Sequence, residues 1–87
     1  MKKVLILEDE VNIRSFVVIN LQRAGYKIVE AGTGAEALEL LQTVSDFDFV
    51  LTMYNVGEPN VFDFSREVKK LYPDLPIVLL TSFSKEI

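Results

Sequence analysis

Three acids, Glu8-Asp9-Glu10, close the apolar run VLILEDE, and a second apolar run, VLTMYNV, stops at Met53-Tyr54-Asn55. Paired carboxylates at the end of a strand are the donor type of a hard divalent cation, since Mg²⁺ takes oxygen ligands, usually one or two carboxylates and several waters. Glu8, Asp9 and the carbonyl of Asn55 would form such a site only weakly, because the Met53 thioether is too soft to act as a further ligand. The chain has no Cys and no His. Disulfides, thiolate chemistry, the usual zinc sites and His-based triads are thereby excluded. Phosphoryl transfer to a side chain would need an anionic oxygen nucleophile in line with the donor, a divalent ion and a further cation. Met53 supplies none of these.

These residues are positioned by an alternating pattern of short apolar runs and helical periodicities. Lys3 to Leu7 has strand length, and residues 11–24 form a helical stretch in which Ile13, Phe16, Val17 and Leu21 share a face, ended by Gly25. A second strand spans 26–31. A second helix spans 34–43, with Ala37, Leu38, Leu40 and Leu41 as its apolar side. A third strand spans 47–53. After a loop containing Gly57 and Pro59, a third helix spans 61–72 and carries Phe62, Phe64, Val68 and Leu71. Pro73 and Pro76 bracket a turn before a fourth strand, 77–81. Strands that are apolar on both faces and alternate with helices predict a parallel sheet covered on both sides by right-handed crossovers. Ligands of such sheets sit at the carboxyl ends of the strands. Glu8-Asp9-Glu10, Met53-Tyr54-Asn55 and Thr81-Ser82 all fall at that edge.

The stretches VLILEDEVNIR, AGYKIVEAGTGAEALELL and LYPDLPIVLLTS resemble the receiver domain of bacterial two-component response regulators. The resemblance implies a flavodoxin-like, three-layer α/β fold with strands in the order 2-1-3-4, residues 1–87 forming a single, incomplete domain without the fifth strand and last helices. It also implies roles. The acids after strand one hold Mg²⁺ in the family, which falls on Glu8 and Asp9; the phosphorylated Asp ends strand three, which falls on Met53; a Ser or Thr after strand four senses the phosphate, which falls on Thr81. Counting back from YPDLP puts Val61 in place of the family's loop glycine, Asn60 in place of its aspartate and Gly57 in place of its usual proline. The phosphoacceptor is absent, and so is the lysine of the fifth strand. By resemblance the protein partners are a sensor kinase or an output domain.

Other features have plainer readings. Asp9 reads as the cap of the first helix, with its neighbouring acids favouring the positive end. Gly32-Thr33-Gly34 lacks the spacing of a dinucleotide or P-loop fingerprint, and Thr33 with Glu36 reads as a capping box. Asp63 fits the first turn of a helix begun by Asn60. Thr52, Asp46 and Asp48 do not end strand three and are poor substitute acceptors.

The 87 residues carry 9 bases against 13 acids, a net charge of −4, and the basic pairs are confined to Lys2-Lys3 and Lys69-Lys70. That balance argues against a nucleic-acid surface. No apolar run approaches the ~20 residues of a membrane span, and the N-terminus has no signal-peptide pattern, so a cytoplasmic location is expected. A chain this short buries only ~60% of its unfolded surface. Phe16, Val17, Val18 and Ile19 are consecutive on a helix, so Val18 or Ile19 must face outward, and the fourth strand is an open edge. Self-association through that edge or through the first helix is the expectation. Three functions are consistent with these residues: a non-phosphorylated receiver-like module acting by protein contact, a receiver with an atypical acceptor, and a small-ligand or cofactor binder on the same fold. The residues offer no nucleophile and base for an enzyme.

Overall fold

The computed structural model describes residues 2–53 and 60–80. Four strands, β1 (Lys3–Leu7), β2 (Lys27–Ala31), β3 (Phe49–Met53) and β4 (Ile77–Leu80), alternate with three helices, α1 (Val11–Arg23), α2 (Gly34–Thr43) and α3 (Val61–Leu71). The strands pair in parallel in the order β2-β1-β3-β4, the flavodoxin-like arrangement expected from the sequence.

β1 is the centre of the molecule because Val4, Leu5, Ile6 and Leu7 are apolar on both faces, and all four are buried. Leu5 and Leu7 point into a core with Ala31, Ala37, Leu41, Val50, Val61, Phe64 and Val68, covered by α2 and α3. Val4 and Ile6 point the other way, into a smaller core with Val18 and Leu51 under α1. Tyr26 and Phe49 close that core with an edge-to-face contact at 5.9 Å between ring centroids. Helix, sheet and helix form three layers.

The helix ends follow their sequence signals, with one correction. Thr33 Oγ1 accepts from the Glu36 N–H at 3.1 Å, and Glu36 reaches back to the Gly32 N–H at 2.9 Å. Asn60 Oδ1 accepts from the Asp63 N–H at 2.9 Å. Gly25, at φ +97°, turns the chain after α1 in a conformation that favours glycine. The cap of α1 is Glu10, not Asp9. Its Oε1 accepts from the N–H groups of Asn12 and Ile13 at 2.9 and 3.1 Å, the longer side chain folding back where the shorter aspartate lies one residue too early.

Two helices are rotated from their expected faces. In α1, Val18 is buried and Arg14, Val17 and Leu21 are half-buried, whereas Phe16 is 70% and Ile13 45% exposed. The inner residues 14, 17, 18 and 21 are spaced as one helical face, but it contains a charged residue, which apolar periodicity cannot register. Ile19 is the residue that looks outward. In α3 the inner face is Val61, Phe64 and Val68, while Phe62 and Leu71 are exposed. In α2 the expected face holds: Ala37 and Leu41 are buried, and Leu38 and Leu40 pack against them.

Element ends differ by one or two residues. α1 stops at Arg23 and α3 at Leu71, with Ala24 and Tyr72 as their C-terminal caps. β2 begins at Lys27 because the Tyr26 N–H closes the end of α1 on the Leu21 carbonyl. β3 begins at Phe49, and Asp48 just before it is tied to Lys3 twice: its N–H donates to the Lys3 carbonyl at 2.8 Å and its carboxylate accepts the Lys3 N–H at 2.7 Å.

Candidate functional site

The parallel register brings two strand tips together. Leu7 is paired with Thr52, so the next residues, Glu8 and Met53, end adjacent strands about 4.8 Å apart. Met53 is in turn paired with Leu80 on β4. It is half-buried and packs against the core under α2 and α3, as an adaptable thioether does at an irregular strand end.

Glu8 is only 4% exposed. Its N–H donates to the Ala31 carbonyl at 3.1 Å, continuing the β1–β2 ladder. Its Oε2 accepts from the Glu10 N–H at 2.8 Å. Burial pushes the Glu8 carboxyl above the ordinary carboxylate value of 4.5; the Glu10 N–H opposes that rise, while the Asp9 side chain and the charges of Asp9 and Glu10 add to it. Asp9 is exposed, and Glu10 spends its carboxylate on the cap. Asn55 and Thr81 lie outside the described residues.

As a cation site this tip is sparse. Two carboxylates share it, one oxygen of Glu8 is already an acceptor, and Met53 contributes a thioether. Among the described residues no three acids group as a metal cluster. Glu8 and Asp9 fit a hard divalent ion that keeps most of its waters, and nothing tighter.

The alternative acceptors are poorly placed. Thr52 is fully buried and its hydroxyl donates to the Met53 carbonyl at 3.3 Å. Asp46 and Asp48 precede β3, at the opposite end of the sheet from the acid tip. Asp63 pairs with Arg66 one turn along α3. At that opposite end lies an open groove of about 550 Å³ among Leu41, Phe47, Asp48, Tyr72 and Leu75.

Arg14 is a contributor that apolar periodicity missed. Its Nη1 donates to the Glu8 carbonyl at 2.7 Å and its Nε to Glu30 Oε1 at 3.1 Å. The signal was present in the helical spacing of Arg14 with Val17, Val18 and Leu21.

The sequence profile of the response regulator receiver domain matches residues 4–87. The response regulator receiver protein CpdR of Brucella abortus is 34% identical over 84 residues, covering 97% of this chain and 69% of CpdR. Among solved structures, the response regulator TrrA of Thermotoga maritima, in complex with Mg²⁺-BeF, superposes with a TM-score of 0.87 at 33% identity, covering 97% of this chain and 72% of TrrA. TrrA in complex with the histidine kinase ThkA gives a TM-score of 0.86, with the same identity and coverage. Acids at the tip of β1, beside the end of β3 in a sheet of order 2-1-3-4, agree with this match, and the chain belongs to the response regulator receiver domain family.

Proposed function

We propose that this chain is a two-component signalling module that is not phosphorylated at the usual strand-end position and acts through contacts with other proteins. Met53 is the observation that carries the reading. It ends β3 beside Glu8, the position that the family resemblance gives to the phosphoacceptor, and a thioether is neither anionic nor an oxygen nucleophile. A weak Mg²⁺ site at Glu8 and Asp9, with the Asn55 carbonyl as a further donor, belongs to the same reading, as does Thr81 at the switch position. The module is not an enzyme in this account.

Its partners are proposed from likeness: TrrA has been solved with a histidine kinase, and a sensor kinase or an output domain is the corresponding partner here. The net charge of −4 disfavours a nucleic-acid surface in this segment. No described helix is long and apolar enough to cross a membrane, and a cytoplasmic location is proposed. Self-association is a further part of the proposal. It is supported by Phe16 at 70% exposure on α1 and by Val78, Leu79 and Leu80 at about 40% on a strand that, among the described residues, is paired along one edge only.

The test is incubation with acetyl phosphate and Mg²⁺ followed by intact-mass measurement. No adduct is expected on the native chain. The gain of one phosphoryl group would favour the second reading, a receiver with an atypical acceptor, and peptide mapping would locate it.

A further inference from the structure

Arg14 leaves the inner face of α1 with its side chain 19% exposed and ends on two acceptors from two different strands. Nε donates to Glu30 Oε1 on β2, and Nη1 donates to the backbone carbonyl of Glu8 at the tip of β1. A guanidinium presents its donors as a rigid planar fork, so two engaged donors fix direction as well as distance. The Glu8 carbonyl belongs to the peptide that joins Glu8 to Asp9. The same residue is held by its N–H on Ala31 and by its carboxylate under the Glu10 N–H. Re-aiming the Glu8 carboxylate breaks the bond from the Glu10 N–H, and turning the Glu8–Asp9 peptide breaks the bond from Arg14.

Gly32 gives an independent indication. A β-carbon at this position would stand 3.1 Å from Arg14 Nη1, closer than ordinary contact, so any side chain here requires the guanidinium to give way by a few tenths of an ångström. The absence of a side chain at the start of the β2–α2 turn leaves Arg14 Nη1 uncrowded where it meets the Glu8 carbonyl.

We propose that Arg14 is the positioning residue of the acid tip: it holds the Glu8–Asp9 peptide and so sets the direction in which both carboxylates leave β1, and Gly32 leaves room for it to do so. The proposal rests on the reading of the tip as a weak divalent-cation site. Position and charge act in opposite directions here. A cation beside the tip repels a second cation, so Arg14 as a mere charge would weaken divalent binding, whereas Arg14 as a positioner strengthens it.

Two measurements test this. The first uses the native chain with chelator present and follows amide proton exchange. Arg14→Met and Gly32→Val are expected to accelerate exchange at Glu8 and Glu10 several-fold, while leaving Asp63, held by the Asn60 cap, unchanged. The second is an Mn²⁺ titration in the Met53→Asp background, where a further oxygen ligand raises affinity. Both substitutions are expected to weaken binding by about tenfold or more at unaltered melting temperature, the usual cost of losing a residue that orients a metal ligand. Arg14→Lys, which keeps the charge and loses the fork, falls between. Unchanged exchange, tighter binding in Arg14→Met, or unaltered affinity in Gly32→Val overturns the proposal. Absence of Mn²⁺ binding by Met53→Asp itself overturns the cation reading, and the exchange data then decide alone whether Arg14 holds the tip.

Discussion

The hydroxyl of Tyr72 donates to the backbone carbonyl of Leu41 at 3.1 Å, joining the C-terminal cap of α3 to the last turn of α2. Leu41 is within the final four residues of its helix, so its carbonyl has no acceptor role inside α2, and Tyr72 supplies the missing donor. Tyr72→Phe keeps the ring in place and leaves that carbonyl without its partner. The expected cost is about 1 kcal/mol, which lowers the melting temperature by roughly 4–8 °C in a domain of this size. An unchanged melting curve would mean that water replaces the hydroxyl without loss.

The first helix offers a choice between two adjacent acids. Glu10 accepts from two backbone N–H groups, whereas Asp9 caps nothing. Glu10→Ala is expected to destabilise by about 0.5–2 kcal/mol, and Asp9→Ala to stay within about 0.5 kcal/mol of the parent. Urea unfolding of the two variants side by side would distinguish them, and the reverse ranking would restore Asp9 as the cap.

Glu8 should give stability a downward slope with rising pH. Its folded carboxyl is raised above 4.5, mainly by burial, so between 4.5 and the raised value the native state binds more protons than the unfolded chain. Its stabilising contribution is complete below 4.5 and is lost as pH rises through the folded value. Glu8→Gln is expected to remove this slope and to be more stable than the parent at neutral pH. Thermal melts from pH 4 to 8 with a chelator present would show it, and a parallel pair of pH profiles would exclude Glu8 as the source.

Exposed apolar residues on β4 and α1 predict association that two single substitutions should separate. Leu79→Lys places a charge on the strand whose outer edge is unpaired among the described residues, and Phe16→Ser removes the most exposed large apolar side chain of α1. Sedimentation over a concentration series is expected to show weaker association for whichever surface is used, at unchanged helical content. A parent chain that stays monomeric at high concentration ends the idea.

The alternation of strands and helices was legible because the apolar runs carry their own length and punctuation, whereas the strand order followed from the resemblance to the receiver family. The caps at Thr33 and Asn60 were legible for a similar reason: a short polar side chain followed three residues later by an acid is a local signal. The rotation of α1 was not. Four apolar residues in succession fix no face, and the inner face includes Arg14, whose acceptors lie just past β1 and on β2, six and sixteen residues away. The α1 cap was misassigned by one position for a related reason, since Glu10 caps with a folded-back side chain that a preference for shorter cap residues does not anticipate. At the candidate site, the placement of Glu8 and Met53 at one edge followed from the parallel-sheet rule, and their adjacency from the strand order that the family resemblance implies. The burial of Glu8 did not, because its partners Ala31 and Arg14 are set by the tertiary fold.

The position of β1 between β2 and β3 has a consequence for how the chain acquires its structure. Val4 pairs with Ile28 on one side and with Phe49 on the other, so the first strand made is completed only when the second half of the molecule arrives. The nearer partner closes the smaller loop and is the cheaper contact to form, leaving the other edge of β1 as a waiting template for β3. A chain emerging slowly from the ribosome would therefore hold a two-stranded intermediate with Leu5 and Leu7 uncovered on one face, since Val50, Phe64 and Val68 follow later in the chain. Synthesis speed and chaperone access at that interval, more than the stability of the finished fold, would then govern how much of the protein reaches its native state.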